Sequence, residues 1–230
     1  MKIGIFSDIH GNLYAFENVY NELKKEGCDL HLFLGDICGY YFQQNEVIDI
    51  LRDIPHLEAL AGNHDIMFLK SLEDKNLMKE YTERYGLSFE LLKGTITPEN
   101  LDFLQRLPKE FHLGRYGIAG FHGSPWSFLE EYVYPDSPTQ RFDTLDYDIV
   151  FLGHTHWTMD IIRERIRIVN PGSVGQPRDG GWPSYAVYDA RSEKLEVKRV
   201  NYNVNALIED IKRRKETNAY LIDVLHRIKQ

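Results

Sequence analysis

The chain has 230 residues, 43% of them hydrophobic and 27% charged, a globular balance that excludes collagen-like, coiled-coil and long disordered classes. Its formal charge of −8 argues against non-specific binding of nucleic acid or anionic membranes. With two cysteines, Cys28 and Cys38, no apolar run near the ~20 residues that span a bilayer, and an apolar start too short for a signal peptide, a soluble cytoplasmic protein with reduced thiols is expected.

Lys2 to Ser7 reads as a buried strand stopped at Asp8. Asn12 to Lys25 reads as a helix with Leu13, Phe16, Val19, Tyr20 and Leu23 on one stripe, and Gly27 ends it. Asp29 to Leu34 is a second strand stopped by Gly35-Asp36, Glu46 to Arg52 a second helix, and Leu57 to Ala61 a third strand stopped by Gly62-Asn63. This rhythm with continuously apolar strands predicts a largely parallel sheet covered on both faces. Ile66 to Leu107 turns helical, and Thr97-Pro98-Glu99 marks a helix start inside it. Gly114 to Gly117 reads as a hairpin turn within Phe111–Phe121; Ile149–Leu152 is another short strand, and Ile161–Val169 and Tyr185–Tyr202 supply further strands and turns. Residues 191–230 carry ten Lys/Arg and six Asp/Glu, so this tail is +4 and the remainder −12. Leu207, Ile211, Leu221, Leu225 and Ile228 predict an amphipathic C-terminal helix over about 204–229, with a solvated basic face or, as the minor alternative, a homo-oligomer contact. One α/β domain over 1–230 is expected.

The strand ends carry the chemistry. They deliver Asp8-Ile9-His10, Gly35-Asp36, Gly62-Asn63-His64-Asp65, Phe121-His122-Gly123 and Gly153-His154-Thr155-His156. In an open α/β sheet the ligand crevice lies outside the carboxyl ends of the strands. Five of the nine histidines fall there, whereas those at 31, 56, 112 and 226 follow no such pattern. Imidazole and oxygen donors without thiolate suit manganese, iron, zinc, nickel or cobalt. The donors are too many for one ion, and a shared carboxylate between two ions resolves the surplus; metal pairs ~3.5–4 Å apart drive hydrolysis at phosphorus.

In their order, these motifs resemble the calcineurin-like metallophosphoesterase superfamily from residue 2 to about 190, and Asn170 to Arg178 is similar to a loop of its small bacterial and archaeal phosphodiesterase branch. The resemblance implies a four-layer α-β-β-α sandwich of two mixed sheets. It implies that Asp8, His10 and His156 hold one divalent metal, that Asn63, His122 and His154 hold another, and that Asp36 bridges them, with manganese favoured. It further implies attack on phosphorus by a metal-bridging hydroxide, with His64 protonating the leaving oxygen or stabilising its charge. Asp65 either orients His64 or caps the following helix.

Departures from relatives narrow the reading. Protein serine/threonine phosphatases and diadenosine-tetraphosphate hydrolases carry Asp and Arg where this chain has Gly39 and Tyr40, and Glu where it has Asp65. Arg178 stands as a replacement phosphate-binding cation or as half of a structural salt bridge. A retromer sorting subunit keeps the fold without the catalytic histidine; this chain keeps His64, which favours an enzyme. Tyr40, Tyr41 and Phe42, then Trp126, Phe128, Tyr132 and Tyr134, either stack an aryl group or base or pack their own loops, the second loop stiffened by Pro125, Pro135 and Pro138. The expected activity is hydrolysis of a small phosphodiester or nucleotide, with no stable nucleic-acid or membrane partner. The alternatives are a phosphomonoesterase, nucleotidase or protein phosphatase with the same metals, and a catalytically idle binding module.

Overall fold

The computed structural model describes residues 1–228. In chain order the elements are β1 (Lys2–Phe6), α1 (Leu13–Glu26), β2 (Leu30–Phe33), α2 (Gln44–Asp53), β3 (Leu57–Ala59), α3 (Asn63–Glu73), α4 (Lys75–Tyr85), α5 (Ser88–Thr95) and α6 (Pro98–Arg106). They continue with β4 (Glu110–Leu113), β5 (Ile118–Phe121), β6 (Ile149–Leu152), β7 (Thr158–Ile162), β8 (Arg167–Pro171), β9 (Ser184–Asp189), β10 (Lys194–Arg199), α7 (Val204–Arg213) and α8 (Tyr220–Asp223).

The strands form two five-stranded mixed sheets, β10-β9-β1-β2-β3 and β4-β5-β6-β8-β7. Each keeps a parallel trio, β1-β2-β3 or β5-β6-β8, flanked by antiparallel strands. These are the two mixed sheets that the resemblance implied; the largely parallel sheet read from periodicity corresponds to β1-β2-β3 within the first of them. The chain returns antiparallel through β9 and β10 onto β1 and closes the second sheet on a β4–β5 hairpin turned at Gly117 (φ +59°).

Side-chain alternation divides the core. Ile3, Ile5, Leu32, Leu34, Ile118, Ile149, Phe151 and Val169 fill the space between the sheets. Phe6, Phe33 and Val187 face the helices instead, where Phe16, Val19 and Leu23 of α1 and Val47, Ile48 and Leu51 of α2 meet them. Ala119, Phe121, Val150, Leu152 and Ile168 form the outer face of the second sheet, covered by Val133 and Phe142 of the segment 124–147. Strands buried on both faces show no apolar/polar alternation, which is why they read as continuous apolar runs. The edge strand β10 is the contrast, with Lys194, Glu196 and Lys198 at every second position.

Local signals behave as their chemistry requires. The Asn12 side chain accepts the Ala15 N–H at 3.1 Å and starts α1, Gly27 ends it at φ +62°, and Thr97 caps α6 with Pro98 at its first position. The C-terminal helix expected over about 204–229 is the exception. Helix α7 stops at Arg213, Lys215 turns left-handed (φ +56°), and a separate short helix and turn carry Leu221 and Leu225. The Glu216 carboxylate accepts N–H groups from Leu87 at 2.6 Å and from Thr217 and Asn218 at 2.7 Å, drawing the chain out of the helix. Leu207, Ile211, Leu221, Leu225 and Ile228 are nevertheless all buried, so the apolar pattern was right and the continuity wrong; residue 229 lies outside the described residues. Among those residues no helix is long and apolar enough to cross a membrane.

Phe151 is fully buried between the sheets. Phe151→Ala is expected to destabilise the fold by about 3–5 kcal/mol, read as a lower denaturant midpoint at unchanged m-value.

Candidate metal centre

Parallel strands of both sheets end at one edge, and the residues just beyond them converge there. The first sheet contributes Asp8 and His10 after β1, Asp36 after β2, and Asn63 and His64 after β3. The second contributes His122 after β5, and His154 and His156 after β6. Asp8, His10, Asp36, His154 and His156 all have φ between +50° and +68°. The left-handed region is disfavoured for residues with a Cβ, so the backbone is bent hard to aim these side chains inward. Gly62 is required for a different reason: a Cβ there would collide with the Asp36 carboxylate. Gly39 (φ +93°) likewise makes room for His64, whose Nδ1 would lie 2.5 Å from an added Cβ.

The donors fall into two groups that share Asp36. Asp8, His10, Asp36 and His156 form one, Asp36, His122 and His154 the other, with the ligand atoms of each within 4.8 Å of one another. Asn63 joins the second through Oδ1, 3.0 Å from His122 Nε2.

Backbone carbonyls fix the imidazole tautomers. Nδ1 of His10 lies 2.7 Å from the Cys38 carbonyl, that of His122 2.8 Å from Leu34, and that of His156 2.7 Å from Gln176. Each Nδ1 must therefore donate, which leaves the neutral rings of His10 and His156 an Nε2 lone pair aimed inward, while Nε2 of His122 offers one only when its proton is displaced. Nε2 of His10 and of His156 then face each other at 3.0 Å, and Nε2 of His122 faces Asp36 Oδ2 at 3.4 Å. Asp8 Oδ1 and His154 Nε2 are buried without a hydrogen-bond partner. The facing lone pairs of His10 and His156, each ring fixed from behind by a carbonyl, together with the unpartnered Asp8 and His154 atoms, fit a divalent cation.

The charge balance points the same way. Burial opposes ionisation of Asp36 and Asp8, yet the surrounding imidazoles, His122 and His156 foremost, hold both carboxyls well below the usual range. Burial drives His10 well down, His64 to about 4 and His154 to about 3. His122 differs: burial pulls it down, but Asp36 beside it outweighs burial and lifts it to about 9. Two ionised carboxylates in a dry pocket demand positive charge.

His64 sits in the first turn of α3, its N–H donating to Asp36 Oδ1 at 2.8 Å and its ring beside those of His10, Tyr40 and Tyr85. Asp65 makes no hydrogen bond to His64. Its carboxylate accepts backbone N–H groups of Asp36, Ile37, Cys38 and Gly62 at 2.9–3.0 Å, which is the helix-capping alternative and not the His64-orienting one. Arg178 forms no ion pair among the described residues, which corrects the salt-bridge alternative; its guanidinium donates to the Tyr40 hydroxyl at 3.1 Å and to Gln176 Oε1 at 3.2 Å. Of the aromatics named from sequence, Tyr40 packs on His10 and His64 and Tyr132 on His154, whereas Tyr41 and Phe42 lie in the helix-side core and Trp126 packs on Phe142 and Arg141. Tyr85 and Tyr220, which pack around His64 and Tyr40, had no signal, because they arrive from helices far along the chain.

Residues 1–193 match the calcineurin-like phosphoesterase superfamily domain. The chain is 33% identical over 232 residues, 91% of each sequence, to an uncharacterized protein of Methanocaldococcus jannaschii. Its structure is similar to that of a metallophosphoesterase from Sphaerobacter thermophilus, with a TM-score of 0.83, 28% identity, and coverage of 100% of this chain and 99% of that one. It also shares its fold with a hypothetical protein from Pyrococcus horikoshii OT3, at a TM-score of 0.80, 21% identity and 97% coverage of both chains. A family match across most of the chain, a full-length relative and the convergent Asp/His cluster lead to one assignment: the chain belongs to the calcineurin-like phosphoesterase superfamily.

Proposed function

We propose that the protein is a dinuclear-metal-dependent phosphodiesterase acting on a small phosphodiester or nucleotide. The observation that carries this reading is the pair of buried donor groups sharing one carboxylate, Asp36. Asp8, His10 and His156 would hold one cation, Asn63, His122 and His154 the other, and Asp36 would serve both. The donor chemistry, oxygen and imidazole without thiolate, admits manganese, the favoured ion, as well as iron, zinc, nickel or cobalt. Two such cations supply Lewis acidity at phosphoryl oxygens and make water nucleophilic near neutral pH.

The chain's own groups do the rest. The N-terminus of α3, which begins at Asn63, adds positive partial charge where an anionic phosphoryl group would bind. His64, neutral in its buried setting, would donate a hydrogen bond from its ring N–H to the departing oxygen and stabilise its charge, and would protonate it only where the bound phosphate's charge raises the ring's affinity for a proton. Asp65 is a positioning residue, because its four backbone donors tie the Asp36 loop to the start of α3. Arg178, free of any carboxylate among the described residues, lends its remaining N–H groups to the phosphate.

The deciding experiment strips the protein with chelator and assays bis(p-nitrophenyl) phosphate against p-nitrophenyl phosphate, with and without Mn²⁺, for wild type and Asp36→Asn. Metal-restored activity favouring the diester and lost in Asp36→Asn, with bound metal reduced, is expected. Preference for the monoester moves the assignment to a phosphomonoesterase, and two tightly held metals at full rate in Asp36→Asn refute the shared ligand. His64→Ala is expected to keep its metals and lose ~10²–10⁴-fold in kcat on an alkyl ester, and less where the leaving group is acidic; metal analysis beside steady-state kinetics checks this. For Arg178→Met the expected change is a KM raised about 10-fold or more, the scale of a lost charged hydrogen bond, with metal content unchanged.

A further inference from the structure

The residues of the site are not equally buried. Asp8, His10, Asp36, His122 and His156 are 0–2% exposed, whereas Asn63 is 8% and His64 and His154 are 5% exposed. Beside the more exposed members stand two tyrosines that hold none of the carboxylate or imidazole donors in place by a hydrogen bond. Tyr85, the last residue of α4, meets His64 edge-to-face with ring centroids 4.7 Å apart. Tyr132, from the proline-rich segment after His122, lies over His154 at 3.9 Å and 28°.

Tyr132 is 49% exposed, large for a ring at a buried site. It is held in place all the same. Tyr134 stacks against it at 5.9 Å and 7°, and its neighbour Glu131 is tied to Ser124 and Arg141. Arg84 lies over the Tyr85 ring at 5.0 Å. A phosphate reaching the buried donors past their more exposed members, Asn63, His64 and His154, would carry its organic substituent to the side where these two rings lie.

We propose that Tyr85 and Tyr132 select phosphoesters whose organic group is a planar ring joined closely to the phosphate, an aryl or nucleoside ester. Ring-on-ring contact is geometrically undemanding and favours any flat π-system over an alkyl chain. The inference rests on the phosphoesterase reading, but its test needs no turnover.

The probes are methyl phosphate, phenyl phosphate and thymidine 5′-phosphate, titrated calorimetrically into the Mn²⁺-loaded protein. At least one ring-bearing probe is expected to bind ~10-fold or more tightly than methyl phosphate, the scale of one stacked ring. Whether phenyl or thymidine gains more separates an aryl from a nucleoside substrate. In the double variant Tyr85→Leu/Tyr132→Leu the ratio should collapse to within about 2-fold, whereas Tyr85→Phe/Tyr132→Phe should keep it, since the rings remain. Equal affinities in wild type, or a ratio that survives in the leucine variant, overturn the inference. So does loss of bound manganese from the leucine variant, which would assign Tyr132 to holding His154. Hydrolysis of bis(p-nitrophenyl) phosphate is scored separately, so ring selection can fail while phosphoesterase activity stands, and the reverse.

Discussion

One electrostatic problem organises this molecule: two ionised carboxylates and several imidazole nitrogens share a largely buried space. Asp36 sits at its centre, with Oδ2 3.4 Å from His122 Nε2 and 3.6 Å from His10 Nε2, and Oδ1 taken by the His64 N–H. Such an arrangement is unfavourable unless positive charge is supplied. The carbonyls of Leu34, Cys38 and Gln176 intensify the demand by committing each ring's other nitrogen to donation. These three backbone groups decide where the inward nitrogens of His10, His122 and His156 point.

The backbone bears a matching cost. Five of the site's residues lie in the left-handed region, which Asp and His adopt more readily than most residues with a Cβ but still at some backbone cost. The surroundings over-determine these conformations. The Asp8 N–H bonds to the Gly35 carbonyl at 2.9 Å and the His10 N–H to that of Asp36 at 3.0 Å. Asp65 gathers four further N–H groups from the same loops. Strain at the rim is thus held by hydrogen bonds within the rim and by the apolar layers beneath it.

The donor set could be read from the chain because each donor follows directly on a strand, so that hydrophobic pattern and motif reinforce one another. The doubling of the sheet could not be read that way: strands buried on both faces look alike whether helices or another sheet cover them, and the stacked arrangement came from family resemblance. Tyr85 and Tyr220 were invisible because only tertiary packing brings them to His64 and Tyr40. The C-terminal helix failed in an instructive way. The places between Ile211 and Leu221 that would continue its stripe hold Arg214, Lys215 and Asn218, so the gap was present in the sequence, and the competing acceptor that exploits it, Glu216, meets Leu87 only in the folded chain.

Each donor group draws from both sheets. Asp8, His10 and Asp36 face His156, and Asp36 faces His122 and His154. A cation held there is a cross-link between two sheets that otherwise meet through an apolar interface. Its binding free energy becomes folding free energy, acting most on the relative motion of the two halves. Slow amide exchange at the ends of β1, β2, β5 and β6 would then report metal availability, and the fold itself would gauge the supply of its cofactor.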